Sequence, residues 1–86
     1  MKLTWLEGCE VTEQERKAIE EVLFCTDYKL NDEELQEWID DDTISLCTCR
    51  NGRDVVWLLL ENGKECCVYV DDLTELGEEE IAKELL

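Results

Sequence analysis

Neither proline nor histidine occurs in this chain, glycine occurs four times, and 8 lysines and arginines face 24 aspartates and glutamates. Without proline, and without any Ser/Gly-rich tract, nothing reads as a linker. The 86 residues are expected to form a single acidic α+β domain over 1–86, large enough to bury a modest core without disulfides or metal. The missing histidine removes the usual base for a cysteine nucleophile. No Gly-rich phosphate loop is present, and Asp40-Asp41-Asp42-Thr43 lacks the alternating ligands and glycine of a calcium loop. No enzyme activity and no cofactor are expected. The apolar runs are too short to span a bilayer, and Met1-Lys2 leads to Thr4, Trp5 and Glu7 rather than to a signal-peptide core, so a cytoplasmic location is expected.

What is present is charge of one sign, formally −16. Such an excess disfavours direct contact with nucleic acid or anionic membranes, and it costs stability through self-repulsion. It favours a basic partner, of which a nucleic-acid-binding protein is the obvious class. The chain is not a disordered acidic tail, because 44% of its residues are hydrophobic and they are patterned.

Three apolar runs between Thr43 and Asp71 are separated by Asn51-Gly52 and Asn62-Gly63, a hairpin signal at both places. The expected structure is a three-stranded antiparallel meander whose central run, Val55 to Leu60, is covered on both faces. Two-residue turns would align Thr48, Val55 and Val70, then Leu46, Trp57 and Val68, then Ile44, Leu59 and Cys66, on an apolar face holding Trp57. The opposite, mixed face would carry Cys47, Val56 and Tyr69, then Ser45, Leu58 and Cys67, with Cys49 beside Asp54 and Asp71, and Thr43 beside Leu60 and Glu65. Across the turns, Glu61 would face Lys64 and Arg50 would face Arg53.

Helices flank this meander. Thr12 and Glu15 form a capping box before a helix to Cys25, with Ile19, Val22, Leu23 and Thr26 on one side. Asn31 and Glu34 form a second box, with Leu30 and Leu35 placed as a hydrophobic staple and Leu35, Trp38 and Ile39 as the buried stripe. A final helix from Glu78 to Leu86 would dock through Ile81, Ala82 and Leu85. Lys2 to Leu6 is expected to add an N-terminal strand to a sheet edge, with Leu3 and Trp5 on one side. The order is (β)ααβββα, an α+β fold.

Cys9, Cys25, Cys47, Cys49, Cys66 and Cys67 are expected to be reduced thiols rather than a disulfide scaffold or zinc site. Cys47 and Cys49 are separated from Cys66 and Cys67 by the central strand, and the spacing is not that of a zinc knuckle. No metal-ligating residue is assigned.

The acids are clustered. Asp32 to Asp42 contains no base, and Asp40, Asp41 and Asp42 sit at the negative end of their helix, where they cost local stability. Carboxylates four residues apart advance by about 6 Å along a helix axis, on the scale of phosphate spacing in a nucleic-acid strand. Asp32, Glu33, Glu37, Asp40, Asp41, Asp42, Asp71, Asp72, Glu75, Glu78 and Glu79 are therefore the candidate partner-binding residues.

In its size, acidity and element order the chain resembles the phage-encoded anti-CRISPR proteins and other DNA-mimic inhibitors. That resemblance implies stoichiometric occupation of the basic DNA-recognition site of a bacterial CRISPR effector, in the host cytoplasm. A different class of function is a small regulatory or adaptor domain, or a homodimer, that uses Val56, Leu58, Tyr69 and Cys67 on the mixed sheet face as its interface.

Overall fold

The computed structural model describes residues 2–86. Its elements are α1 (Glu13–Cys25), α2 (Asp32–Asp40), β1 (Ile44–Thr48), β2 (Asp54–Leu59), β3 (Glu65–Tyr69) and α3 (Glu78–Glu84). The strands form one antiparallel sheet in the order β1-β2-β3. This is the expected α+β architecture.

Both capping boxes form. Thr12 accepts from the backbone of Glu15 and Asn31 from that of Glu34, while each glutamate returns a bond to the N-cap backbone. Ala18, Ile19, Val22 and Leu23 of α1, with Leu35 and Ile39 of α2, pack on Ile44, Val56, Leu58, Cys66 and Val68 of the sheet. The opposite sheet face is smaller: Cys49, Val55, Cys67 and Tyr69 meet Leu76 and Ile81. The sheet is thus covered by α1 and α2 on one side and by α3 on the other.

The strand register differs from the expected one by one residue in both hairpins. Leu46 faces Val56 and Val56 faces Val68, while Ser45 faces Trp57 and Trp57 faces Cys67. The cause lies in the turns. Cys49 N donates to Arg53 O at 2.8 Å and Gly52 N to Cys49 O at 2.9 Å, so three residues, Arg50 to Gly52, close the loop. The second loop repeats this, with Leu60 N bonded to Lys64 O and Gly63 N to Leu60 O. Gly52 and Gly63 each take φ of 84°, while neither asparagine has positive φ; this is the turn-plus-left-handed-glycine loop rather than the two-residue one. Each asparagine side chain accepts from the backbone two residues on, Arg53 N and Lys64 N.

One extra loop residue turns every side chain of β2 over. The outer strands keep the expected faces, but Val56 and Leu58 belong to the main core. Trp57 lies half-buried on the α3 side, its indole N–H donating to Glu65 at 3.0 Å. The expectation that Trp57 sits beside Leu46 and Val68 is therefore corrected. So are the charge pairs drawn across the turns, since Arg50 and Glu61 lie within the loops.

The N-terminal segment does not join the sheet. Thr4 bridges Glu10, and Leu3 and Trp5 are buried in the main core that the helices and sheet share. It is stitched to α2 by Gln36, whose side chain accepts from Thr4 N and donates to Thr4 O. Ile81 of α3 is buried but Ala82 faces solvent, and the helix ends at Glu84 with Leu85, its C-cap, half-buried. Among the described residues no helix is long and apolar enough to cross a membrane.

Candidate partner-binding surface

The acids of α2 are displayed on a helix held firmly on its other side. Leu35 and Ile39 are buried, and Trp38 packs partly against the same core. Opposite that stripe, Glu33, Glu37, Asp40, Asp41 and Asp42 are exposed, and among the described residues none of them forms an ion pair. Asp40 accepts from Gln36 at 3.1 Å. The one uncharged polar residue of α2 thus serves the fold, and the rest of that face is carboxylate.

The end of α2 is built against local preference. Asp42 N donates to Ile39 O and Thr43 N to Trp38 O, a Schellman closure with Asp42 at the left-handed position, φ 61°. Glycine or asparagine suits that position better, and a carboxylate there adds to the helix's own negative end. Helix α1 closes in the same way: Asp27 N donates to Phe24 O, Tyr28 N to Leu23 O, and Asp27 has φ 61°. Two helix ends on the same layer of the fold therefore each carry an aspartate where it does least for the helix.

These ends border two clefts that the charge pattern alone did not reveal, an apolar one at the end of α1 and a mixed one at the end of α2. Tyr28 and Trp38 meet edge to face, with centroids 5.1 Å apart. On one side of Tyr28 a cleft of about 360 Å³ is lined by Leu23, Phe24 and Leu30 with Glu20, Asp27 and Lys29. On the other side a second cleft of about 360 Å³ is lined by Trp38, Thr43 and Leu60 with Asp41, Glu61 and Asn62. Phe24, 80% exposed, stands at the rim of the first. The sequence signal for this surface was Phe24, which falls off the buried stripe of its own helix, followed by Tyr28 in a charged loop.

The remaining candidates divide. Asp32 is paired with Arg16, which holds its carboxyl below the usual carboxylate range. Arg53 bridges Asp71 at 2.7 Å and Asp72 at 2.8 Å. Arg53 lowers Asp71, whereas hydrogen bonding from Thr74 is the first cause of the lowering at Asp72, with Arg53 adding to it. Glu75 turns toward Cys66 on the α1 side of the sheet. Glu78 and Glu79 are exposed on α3, across the sheet from α2. The nominated acids therefore form no single surface: Glu33, Glu37 and Asp40 to Asp42 make one face, and the α3 acids another.

The rival interface is not available as a surface. Val56, Leu58 and Cys67 are fully buried and Tyr69 nearly so, because the register change sends the first two into the main core and α3 covers the others. Compared with protein-family models, curated proteins and solved structures, the chain has no match.

Proposed function

We propose that this protein is an inhibitor that works by occupancy: it presents the α2 carboxylates to the basic DNA-recognition site of a nucleic-acid-binding protein, a bacterial CRISPR effector. The observation that carries this is the unneutralised acidic face of α2, capped at one end and closed at the other by a left-handed aspartate. Of the 24 acids, Glu10, Asp32, Asp71 and Asp72 alone form ion pairs among the described residues. A field left so uncompensated steers a basic partner and raises its association rate. The cleft between Phe24 and Tyr28 supplies what charge lacks, an apolar anchor beside Asp27 that survives screening.

The test is competition. With purified DNA-targeting CRISPR effectors, the protein should suppress DNA binding at a fixed stoichiometry, and effector already holding DNA should resist it. Raising ionic strength should weaken the inhibition steeply. Inhibition that is substoichiometric and grows with time would replace occupancy with catalysis. Failure to bind any basic DNA-binding protein at low salt would leave the carboxylates a solubilising surface.

A further inference from the structure

Cys25 is the last residue of α1, Cys66 the second of β3, and Glu75 lies in the segment that folds back along β3. Their ligand atoms, two Sγ and one carboxylate oxygen, all lie within 4.8 Å of one another. We propose that Cys25, Cys66 and Glu75 form a binding site for a zinc-class divalent cation, with a fourth position open to solvent.

Three independent features fit that assignment. The first is distance. Zinc–sulfur and zinc–oxygen bonds of about 2.3 and 2.1 Å at a tetrahedral angle place the two ligand atoms about 3.6 Å apart. The Cys66 Sγ to Glu75 Oε1 separation is 3.7 Å.

The second is rigidity. Glu75 is not on a free loop: Tyr69 N donates to Thr74 O and Leu76 N to Cys67 O, each at 2.9 Å, so its backbone is held on both sides against β3. Alternation along this segment then sends Leu76 into the α3 core and the Glu75 side chain to the α1 side, where both thiols are. Cys66 is buried and Cys25 half-buried, so two ligands are fixed by the core and helix end that carry them.

The third is the ligand set and its access. Two thiolates and one carboxylate suit a borderline-soft ion and give magnesium or calcium a poor site. Glu75 is exposed, which leaves an approach from solvent and a place for water or a partner's ligand. Burial pushes both thiols up, and Glu21 and Glu75 add to the shift at Cys25. A divalent cation must displace the thiol protons on binding.

The site is independent of the acidic face of α2, and its test does not involve a partner. The full chain, reduced, is titrated with Co²⁺ and then Zn²⁺ in excess Mg²⁺. One equivalent of Co²⁺ should produce a thiolate-to-cobalt charge-transfer band that Zn²⁺ abolishes and Mg²⁺ does not, and Zn²⁺ should raise the melting temperature. Cys25→Ser should eliminate the band, and Glu75→Gln should keep it while weakening affinity at least about tenfold. Cys9→Ser and Cys47→Ser should change neither. Cys25 is half-buried, and both it and the Glu75 variant can be checked for native structure by circular dichroism, so the outcome does not depend on replacing buried Cys66. No band in the wild-type chain, a band that survives Cys25→Ser, or equal loss in Cys47→Ser would overturn the assignment.

Discussion

The guanidinium carbon of Arg53 lies 3.5 Å from the centroid of the Tyr69 ring while its nitrogens bond Asp71 and Asp72. Tyr69 in turn accepts from Asn51 at 3.2 Å, so one arginine fastens the first hairpin loop and the segment after β3 to the same aromatic ring. Two nominated partner-binding acids are thereby spent on the fold.

Arg53→Gln should lower the melting temperature and change the response to acid. Asp71 and Asp72 ionise below their ordinary range, so their contribution is present above about pH 4 and is lost as pH falls through their depressed values. In the variant Asp71, and to a lesser degree Asp72, should return toward ordinary values, and the stability lost below pH 4 should shrink. Protonation of the other acids relieves self-repulsion over the same range in both proteins, so the difference between the two curves isolates the pair. Melting curves from pH 7 to 2 provide the check, and identical acid limbs would contradict it.

Glu15 should matter more than its counterpart Glu34. Each closes a capping box, but Glu15 Oε1 also accepts from the Trp5 indole at 2.9 Å, tying the N-terminal segment to α1. Trp5 is buried, so removing the carboxylate leaves an indole N–H without its partner. Glu15→Ala should cost about 1 to 3 kcal/mol and Glu34→Ala less than about 1 kcal/mol. A double-mutant cycle with Trp5→Phe, measured by urea unfolding, should show coupling for Glu15 and none for Glu34.

The central strand supplies a direct test of register. Leu58 is fully buried in the main core, whereas Trp57 is half-buried on the thinner α3 side. Leu58→Ala should therefore cost about 2 to 5 kcal/mol, and Trp57→Ala less than that. Urea unfolding of the two variants would separate this register from the one in which Trp57 occupies the main core, for which the order of effects is reversed.

What the sequence made legible was local. Thr12 with Glu15 and Asn31 with Glu34 announce helix starts because the cap and its partner lie three residues apart, and no tertiary contact intervenes. The hairpins were equally clear, but Asn-Gly serves both a two-residue and a three-residue loop, and the choice inverts Val56 and Trp57. The charge cluster on α2 was visible for the same local reason. Two other features depend on long-range packing. Phe24 and Trp38 line neighbouring clefts that share Tyr28, and Cys25 meets Cys66 and Glu75 at sequence separations of 41 and 50. Grouping the cysteines by strand hid that contact, because Cys25 is on a helix.

The acids at the end of α2 are where stability and partner binding should part. Asp40, Asp41 and Asp42 crowd the negative end of the helix, and Asp42 holds a left-handed conformation that asparagine adopts more readily. Replacing all three by asparagine should leave the melting temperature unchanged or raise it. It should also slow association with a basic DNA-binding site, because three unpaired carboxylates are lost, Asp41 among them lining the cleft beside Tyr28 and Trp38. Glutamine at Glu13, Glu20 and Glu21 removes the same formal charge from a helix that also carries Arg16 and Lys17, and should slow association less. Stopped-flow association at two ionic strengths, read beside thermal melts, distinguishes the cases. Equal slowing by both triple variants would mean that net charge alone steers the partner, and a destabilised but still tight-binding α2 variant would assign these aspartates to the fold.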